Sequence, residues 1–512
     1  MRVLSRALIL LVLTLVACWP QWSVPDWHGT EARRVQIALE MATSGDWLVP
    51  TIGGQATWAK PPLHYWLLGG LAKVFGADPW VMRAPAVLGL FGAALLAMEL
   101  LRRWFGTAAG RWGALGIVLS PVVLFVWPTA EIDPLFACLT AASLWCLATG
   151  VARERRSLVL WSGVLGGLAL LDKRLPYFLF AAGAYLVWWR RRGGRFAVAH
   201  FLPLLAVPLL YCVALWSLRA DLATVLTVVE NETLGRLLGA GWGHLTTTPA
   251  FWLRAVAVQL PFVLWCFWEW RGARDARMDA ADLTLRMCSG AAVLAVVVLT
   301  VFPGRPTRYL LPNVLLFTFA VVPAVAHFAG QQRPIGAFSQ RWLRRIGIVG
   351  ALALMTIPLL DTRVPLAAVG LALVAALGPF CVRTPRHVVV FCLVLPLVAA
   401  WTVGLGRAMA WPDSAAARRH VGQLLQRELA AAGALAEFAT IGHVEGPLLL
   451  GAGLLPMGDE AGAATPTARW LLHERAEAPR WSSLAPNYVE RFRICVPGQV
   501  FAVRERVAGT GR

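Results

Sequence analysis

Apolar runs of about 18 or more residues recur along this chain, broken by short polar segments, and that is the length needed to cross roughly 30 Å of hydrocarbon. About thirteen such spans are predicted by this length criterion. They lie near residues 3–20, 81–101, 112–128, 134–150, 157–172, 175–189, 197–218, 250–270, 283–303, 308–330, 345–360, 364–382 and 386–404. The polar connections are not alike. Arg102, Arg103 and Arg111 share one, Arg153, Arg155 and Arg156 another, and Arg190, Arg191, Arg192 and Arg195 a third. Arg271, Arg274 and Arg277, then Arg333, Arg341, Arg344 and Arg345, continue the series. They alternate with connections poor in positive charge, such as 128–133 and 361–363. Positive charge marks the cytoplasmic side. The pattern therefore predicts a cytoplasmic N-terminus and a tail, from about residue 405, on the outer side.

Two of the outer connections are long, 21–79 and 219–249. The first holds Trp22, Trp27, Trp47, Trp58 and Trp66, as expected of segments lying in the membrane interface. Within it, EARRVQIALEMATS sets Ala32, Val35, Leu39 and Ala42 on one helical stripe and Arg33, Arg34, Gln36 and Glu40 elsewhere. Thr30 is placed to cap that helix, and Glu31 falls in its first turn, where it either complements the helix dipole or serves a site. Beyond 405 the charges balance and the apolar runs shorten. A helix is predicted at 413–432 and strands at 436–442, 468–473, 490–495 and 500–506. The expected architecture is an all-α polytopic membrane domain over 1–404, including the outer loop 21–79, followed by a small periplasmic α/β domain over 405–512.

Composition agrees with this reading. Of 512 residues, 58% are hydrophobic and 15% charged, against about a quarter charged in soluble chains, and the mean hydropathy is +0.62. The net charge of +19 sits in short loops between spans and so argues against a nucleic-acid partner. Eight of the nine cysteines lie in or beside apolar spans, which leaves no disulfide framework and no CxxC metal pair. Leu15-Val16-Ala17-Cys18 fits a lipoprotein cleavage box, but with so many spans following, an uncleaved first membrane helix is the expectation. Positive charge is supplied almost throughout by arginine. Lysine occurs only at Lys60, Lys73 and Lys173.

Charged residues at the outer ends of spans are costly to bury and usually mark a site or a wet cavity. They are Asp26, Glu31, Arg33, Lys60, Glu131, Asp133, Asp172, Lys173, Arg174, Glu230, Arg236, His244, Arg305 and Arg308. Cations and carboxylates together at a membrane surface can hold a lipid phosphate while a carboxylate deprotonates an acceptor hydroxyl. Each also has a plainer reading. Asp133 lies where a helix cap would lie, His244 suits a packed loop, and Arg308-Tyr309 suits an interfacial anchor. The HxxxxE and paired-cysteine patterns of zinc enzymes are absent from the sequence.

In order, the segments TEARRVQIALEMATSGDWLVPTIGGQATWAKPPLHYWLLGG, EIDPLF, LLDKRLP and RPTRYLLP resemble the motifs of GT-C glycosyltransferases. The similarity is to the protein O-mannosyltransferase-like branch that includes the lipid A aminoarabinose transferases, and it spans roughly 20–330. It implies a polyprenyl-phosphate sugar as donor and inversion at the sugar. It also implies an acceptor that is a lipid, glycan or protein, bound at the outer face of a bacterial inner membrane. By position, Glu31 matches the second acid of the branch's DE pair and Arg33 the arginine after it. Lys60 matches the lysine of EKPP, Asp133 the second acidic motif, Lys173 the lysine of TKGP, and Arg308-Tyr309 the late motif. Lys60, Lys173, Arg308, Tyr309 and Arg33 are then expected at the donor phosphate, with Glu31 or Asp26 as base and Asp133 beside it.

Three positions depart from the motifs. Thr30 stands for the catalytic aspartate and cannot accept a proton near neutral pH. Ala59 stands for a glutamate linked to a divalent metal in some relatives, so a metal cofactor is doubtful here. Asp172 and Arg174-Leu175-Pro176 flank Lys173 in place of Thr and Gly-Pro. The rival expectations are an inactive GT-C-like scaffold and a lipid-linked polysaccharide polymerase or ligase, the latter disfavoured because its main outer loop comes late in the chain.

Overall fold

A computed structural model describes residues 2–24, 27, 30–52, 54–58, 60–219, 279–301 and 307–330, four strands between 438 and 506, and isolated positions elsewhere. The spans expected at 250–270, 345–360, 364–382 and 386–404, the loop 219–249, the helix 413–432 and Asp26 lie outside these described residues, apart from isolated positions. The chain divides into two compact units, one of residues 1–23, 59–64 and 83–406, the other of 24–58, 65–82 and 407–512.

The first unit is helical. In chain order the helices are α1 (Arg2–Trp22), α2 (Glu31–Ser44), α3 (Leu63–Phe75), α4 (Pro79–Val118), α5 (Pro121–Val126), α6 (Ile132–Ala152), α7 (Arg156–Lys173), α8 (Pro176–Arg192), α9 (Ala197–Arg219), α10 (Asp279–Val301) and α11 (Leu311–Gly330). A 3-10 turn, Thr307–Leu310, leads into α11. Helix α2 and most of α3 belong to the second unit. Five of the described helices, α1, α4, α6, α9 and α10, are long and apolar enough to cross a membrane. The chain is a multi-pass, mainly helical membrane protein. Cys18 of the lipoprotein-like box is buried within α1, and the helix continues four residues past it.

The α4 region departs from its expected layout. Arg102, Arg103 and Arg111 do not lie in an irregular connection; they lie in α4, which is broken only at Gly106 (φ 86°, ψ 176°). Only glycine adopts that backbone without strain. The two halves fold back closely, so that a Cβ on Gly110 would lie 2.6 Å from the Met98 carbonyl oxygen and one on Gly113 2.3 Å from Leu101 Cδ1. The span expected at 112–128 is likewise interrupted: α4 ends at Val118, and Pro121, lacking an N–H, opens the short α5.

Helix α6 is the core of this unit, buried along nearly its whole length. Its Trp145 stacks on Phe319 of α11 at 5.2 Å. Glycines let the neighbouring helices approach at backbone distance, as in other membrane bundles. A Cβ on Gly163 of α7 would lie 2.2 Å from the His200 carbonyl oxygen of α9, and one on Gly183 of α8 would lie 2.0 Å from that of Gly290 in α10.

A closed polar network ties α6 to α9. Ser143 donates to the Ser162 carbonyl (2.7 Å), and Ser162 donates to that of Val159 (2.6 Å). With its proton so used, the Ser162 hydroxyl accepts from His200 Nδ1 (2.7 Å), and His200 Nε2 accepts from Tyr185 (2.7 Å). Tyr177 then donates to Ser143 Oγ at 2.8 Å. Each of these hydroxyl protons has an acceptor, as burial in an apolar bundle demands.

In the second unit, α2 is more deeply buried than its stripe predicts. Gln36 and Glu40, expected on the polar face, are buried. Gln36 donates to Glu40 (3.1 Å), and the other Glu40 oxygen accepts from the Gly54 amide (3.1 Å). That amide belongs to a tight hairpin of β1 (Thr51–Ile52) and β2 (Gln55–Ala56). Asp46 of SGDWLVP accepts from the amides of Leu48 (3.0 Å) and Val49 (3.3 Å), so it builds the turn leaving α2. The strands β3 (Phe438–Ile441), β4 (Trp470–Glu474), β5 (Tyr488–Val496) and β6 (Gln499–Arg506) fall where strands were expected. They pair in the order β3-β4-β6-β5, with β3 and β4 parallel and the other pairs antiparallel.

The Gly183–Gly290 approach yields a prediction. Gly183→Ala overpacks this crossing and is expected to cost about 1–3 kcal/mol, read as a lower melting temperature in detergent. Gly92→Ala, where an added Cβ meets nothing within 4 Å, is expected to melt at or slightly above wild type.

Candidate functional site

Helix α6 begins at the EIDP segment. Glu131 is its N-cap residue and Asp133 lies in its first turn, yet no side-chain cap bond forms at that position. Both carboxylates are buried, and both are taken by cations from distant parts of the chain. Lys173, in the last turn of α7, forms a salt bridge and hydrogen bond with Asp133 Oδ1; the two side chains are 10% and 8% exposed. Arg308, from the 3-10 turn before α11, reaches Glu131 Oε1 with Nη1 at 3.3 Å and lies with Nε 3.4 Å from Asp133 Oδ2. The second contact is an ion pair without hydrogen-bond geometry, since Nε makes no hydrogen bond among the described residues. Asp133 and Arg308 thus have ion-pair partners beyond any role at a helix end or at the interface.

The ammonium of Lys173 also sits over two rings, 4.3 Å from the centroid of Tyr309 and 5.2 Å from that of Phe136. Aromatic faces replace part of the hydration lost on burial. A compact ammonium here sits between a carboxylate and two rings. This gives one of the three lysines a physical reason. Behind Lys173 the chain turns through Arg174 at φ 65°, ψ −139°, a conformation glycine adopts far more easily. Asp172, fully buried, precedes the pair.

The KPP segment is fixed at the same end of the bundle. His64, buried, is hydrogen-bonded through Nε2 to the Ala130 carbonyl at 2.8 Å, immediately before Glu131. Lys60, half-buried, lies four residues earlier, within about 14 Å of His64 by chain length alone. The turn through Pro61 and Pro62 restricts it further.

Glu31 and Arg33 belong to the second unit, on α2. Glu31 is fully buried and Arg33 is exposed. The inward-turned arginine is its neighbour Arg34, which donates to the Tyr65 hydroxyl at 3.0 Å. Thr30 occupies the N-cap position but makes no side-chain cap bond, because its backbone (φ −96°, ψ 11°) is not in the extended conformation that a cap requires. Lys73, which matches no motif, lies over the Trp47 ring at 5.0 Å.

Thus Asp133, Lys173, Arg308 and Tyr309 come together as the motif order led one to expect, with Glu131 and His64 added. Sequence reasoning placed Glu131 among the charged residues but gave it no role, and His64 carried no signal. Among the described residues no group of three or more His, Cys, Asp or Glu side chains is arranged to hold a metal ion, and Glu131 and Asp133 are already matched to cations. Among the described residues these two carboxylates are occupied by cations of the chain itself.

Comparison with known proteins places this geometry. Residues 59–217 match the family model described as dolichyl-phosphate-mannose-protein mannosyltransferase. Over 369 residues the chain is 26% identical to the undecaprenyl phosphate-alpha-4-amino-4-deoxy-L-arabinose arabinosyl transferase of Pseudomonas savastanoi pv. phaseolicola, covering 68% of this chain and 65% of that protein. Over 195 residues it is 29% identical to the corresponding transferase 2 of Pseudomonas fluorescens, covering 36% of this chain and 33% of that one. The chain therefore spans about a third to two thirds of the length of these curated relatives. ArnT from Cupriavidus metallidurans in the apo state superposes with a TM-score of 0.71 at 18% identity, over 99% of each chain. Its form bound to undecaprenyl phosphate gives 0.68 at 17% identity, over 99% of this chain and 97% of that one. The fold is that of ArnT from Cupriavidus metallidurans, and over part of its length the chain is similar in sequence to the dolichyl-phosphate-mannose-protein mannosyltransferase model and to the aminoarabinose transferases.

Removing one partner of a buried pair strands the other charge, at a cost of about 3–5 kcal/mol. Asp133→Asn and Lys173→Met are each expected to lower stability in detergent unfolding, and the double variant to recover much of the loss. Additive losses would show that the two side chains are not coupled.

Proposed function

We propose that the protein transfers a sugar, with inversion, from a polyprenyl-phosphate donor to a hydroxyl or phosphate of a lipid, glycan or protein acceptor at the outer face of a bacterial inner membrane. The observation that carries this reading is the convergence of Asp133, Lys173, Arg308 and Tyr309, from three separate motifs, at one end of the helical unit. A site that binds a phosphate leaving group needs cations held rigidly in a dry setting and a base opposite them. Lys173 and Arg308, with Lys60 from the KPP turn, supply the cations. Tyr309 flanks the ammonium, and Arg33 is assigned to the same phosphate.

The base is Glu31, or Asp26 a few residues before it, since Thr30 cannot serve. Asp133 orients Lys173 and the acceptor. No step is assigned to a divalent ion. The N-terminus is cytoplasmic, about thirteen spans cross the bilayer, and residues 405–512 form a periplasmic α/β domain whose strands are β3 to β6. Departures at Thr30 and Ala59 favour a second reading, an inactive scaffold, which would bind the lipid phosphate without consuming donor.

In a donor-consumption assay, Lys60→Arg and Lys173→Arg should each lose about thirtyfold in rate, equivalent to about 2 kcal/mol. Lys73→Arg keeps its charge over Trp47 and should be silent; equal rates in all three would remove the phosphate role of the lysines. For orientation, an alkaline phosphatase fusion after Gly404 should be active and one after Arg192 inactive. The reverse pattern would put the cluster on the cytoplasmic side.

A further inference from the structure

Glu131 has no place in the roles above, yet it holds the guanidinium that would receive the phosphate. We propose that Glu131 is a resident counter-ion that competes with phosphate for Arg308 and so drives release of the spent lipid carrier. The inference rests on the donor assignment just made.

The chemistry changes the charge on the phosphate. In transfer, the bond between the sugar C1 and the phosphate oxygen breaks and leaves its electron pair on that oxygen. A bond from the acceptor oxygen to C1 forms, and the acceptor proton passes to the base carboxylate. The phosphate enters as a diester with one negative charge and ends as a monoester of about −1.5 to −2 at neutral pH. Fixed cations therefore grip the product harder than the donor, which favours bond cleavage and opposes turnover.

The cluster contains a built-in opposition to that grip. Lys173 is committed to Asp133 in a buried contact. Arg308 is shared between two carboxylates, at 3.3 Å and 3.4 Å, and its side chain is 32% exposed, while that of Glu131 is only 7% exposed. Glu131 is thus the fixed partner and Arg308 the side from which a ligand arrives. A phosphate on the same guanidinium meets the Glu131 carboxylate as a like charge in a poorly screened setting. Repulsion scales with the charge on the phosphate. In logarithmic terms it weakens the monoester about twice as much as the diester, which selects against the product.

The test uses the purified full chain in lipid nanodiscs and two probes, undecaprenyl phosphate and its methyl diester. Glu131→Gln, and independently Glu131→Met, should tighten binding of the monoester about tenfold and of the diester about threefold. Glu131→Asp should restore the wild-type ratio between the two. Equal tightening of both probes, no tightening, or weaker binding of the monoester by whichever variant folds would overturn the proposal and leave the donor assignment standing. A wild-type chain that binds neither lipid would overturn both.

Discussion

A charge in an apolar bundle has to be matched where it lies, and the rest of this structure is arranged around one such match. Asp133 and Lys173 meet almost out of solvent, where an unmatched ion costs several kcal/mol. The contact joins the end of α7 to the start of α6, where Arg308 of the 3-10 turn before α11 also reaches the carboxylates. The ammonium of Lys173 also lies over the rings of Phe136 and Tyr309, which replace part of its lost hydration. Opposite helix ends help: α6 presents its amide end to the carboxylates and α7 its carbonyl end to the ammonium.

The contact is one rung of two. Ten residues further along α6, about 15 Å at helical rise, Ser143 donates to the Ser162 carbonyl of α7. Antiparallel helices pinned at both ends of such a distance cannot slide by a residue without breaking a buried hydrogen bond and a buried ion pair together. The network that continues through Tyr177, Tyr185 and His200 brings α8 and α9 into the same register. The strained Arg174 turn is tolerated between elements held this firmly.

Much of this was legible in the sequence, and the exceptions have physical reasons. Apolar runs marked α1, α6, α7, α8, α9, α10 and α11 because span length is a local property. The reversal between the spans expected at 81–101 and 112–128 lies at Gly106, inside the expected connection, but the arginines read as loop residues sit on helix either side of that single glycine. Motif resemblance brought Asp133, Lys173 and Arg308-Tyr309 to one place. It could not supply the pairing of Glu131 with Arg308, made across 177 residues, since no periodicity spans such a distance. Arg33 is exposed on α2 while Arg34, one position on, reaches the Tyr65 hydroxyl, a difference that no local pattern shows. Gln36 and Glu40 look like a solvated face until the hairpin amide that Glu40 binds is known.

The order of synthesis gives the cluster a further consequence. Asp133 leaves the ribosome 40 residues before Lys173, so a single helical hairpin, α6 with α7, already contains the acid and its base. The hairpin can enter the bilayer as a neutral pair. The arginine that Glu131 holds is made much later, 177 residues further along the chain. That ion pair can therefore form only after the α6–α7 segment has been made. In order of synthesis Arg308 is the last of these four charges.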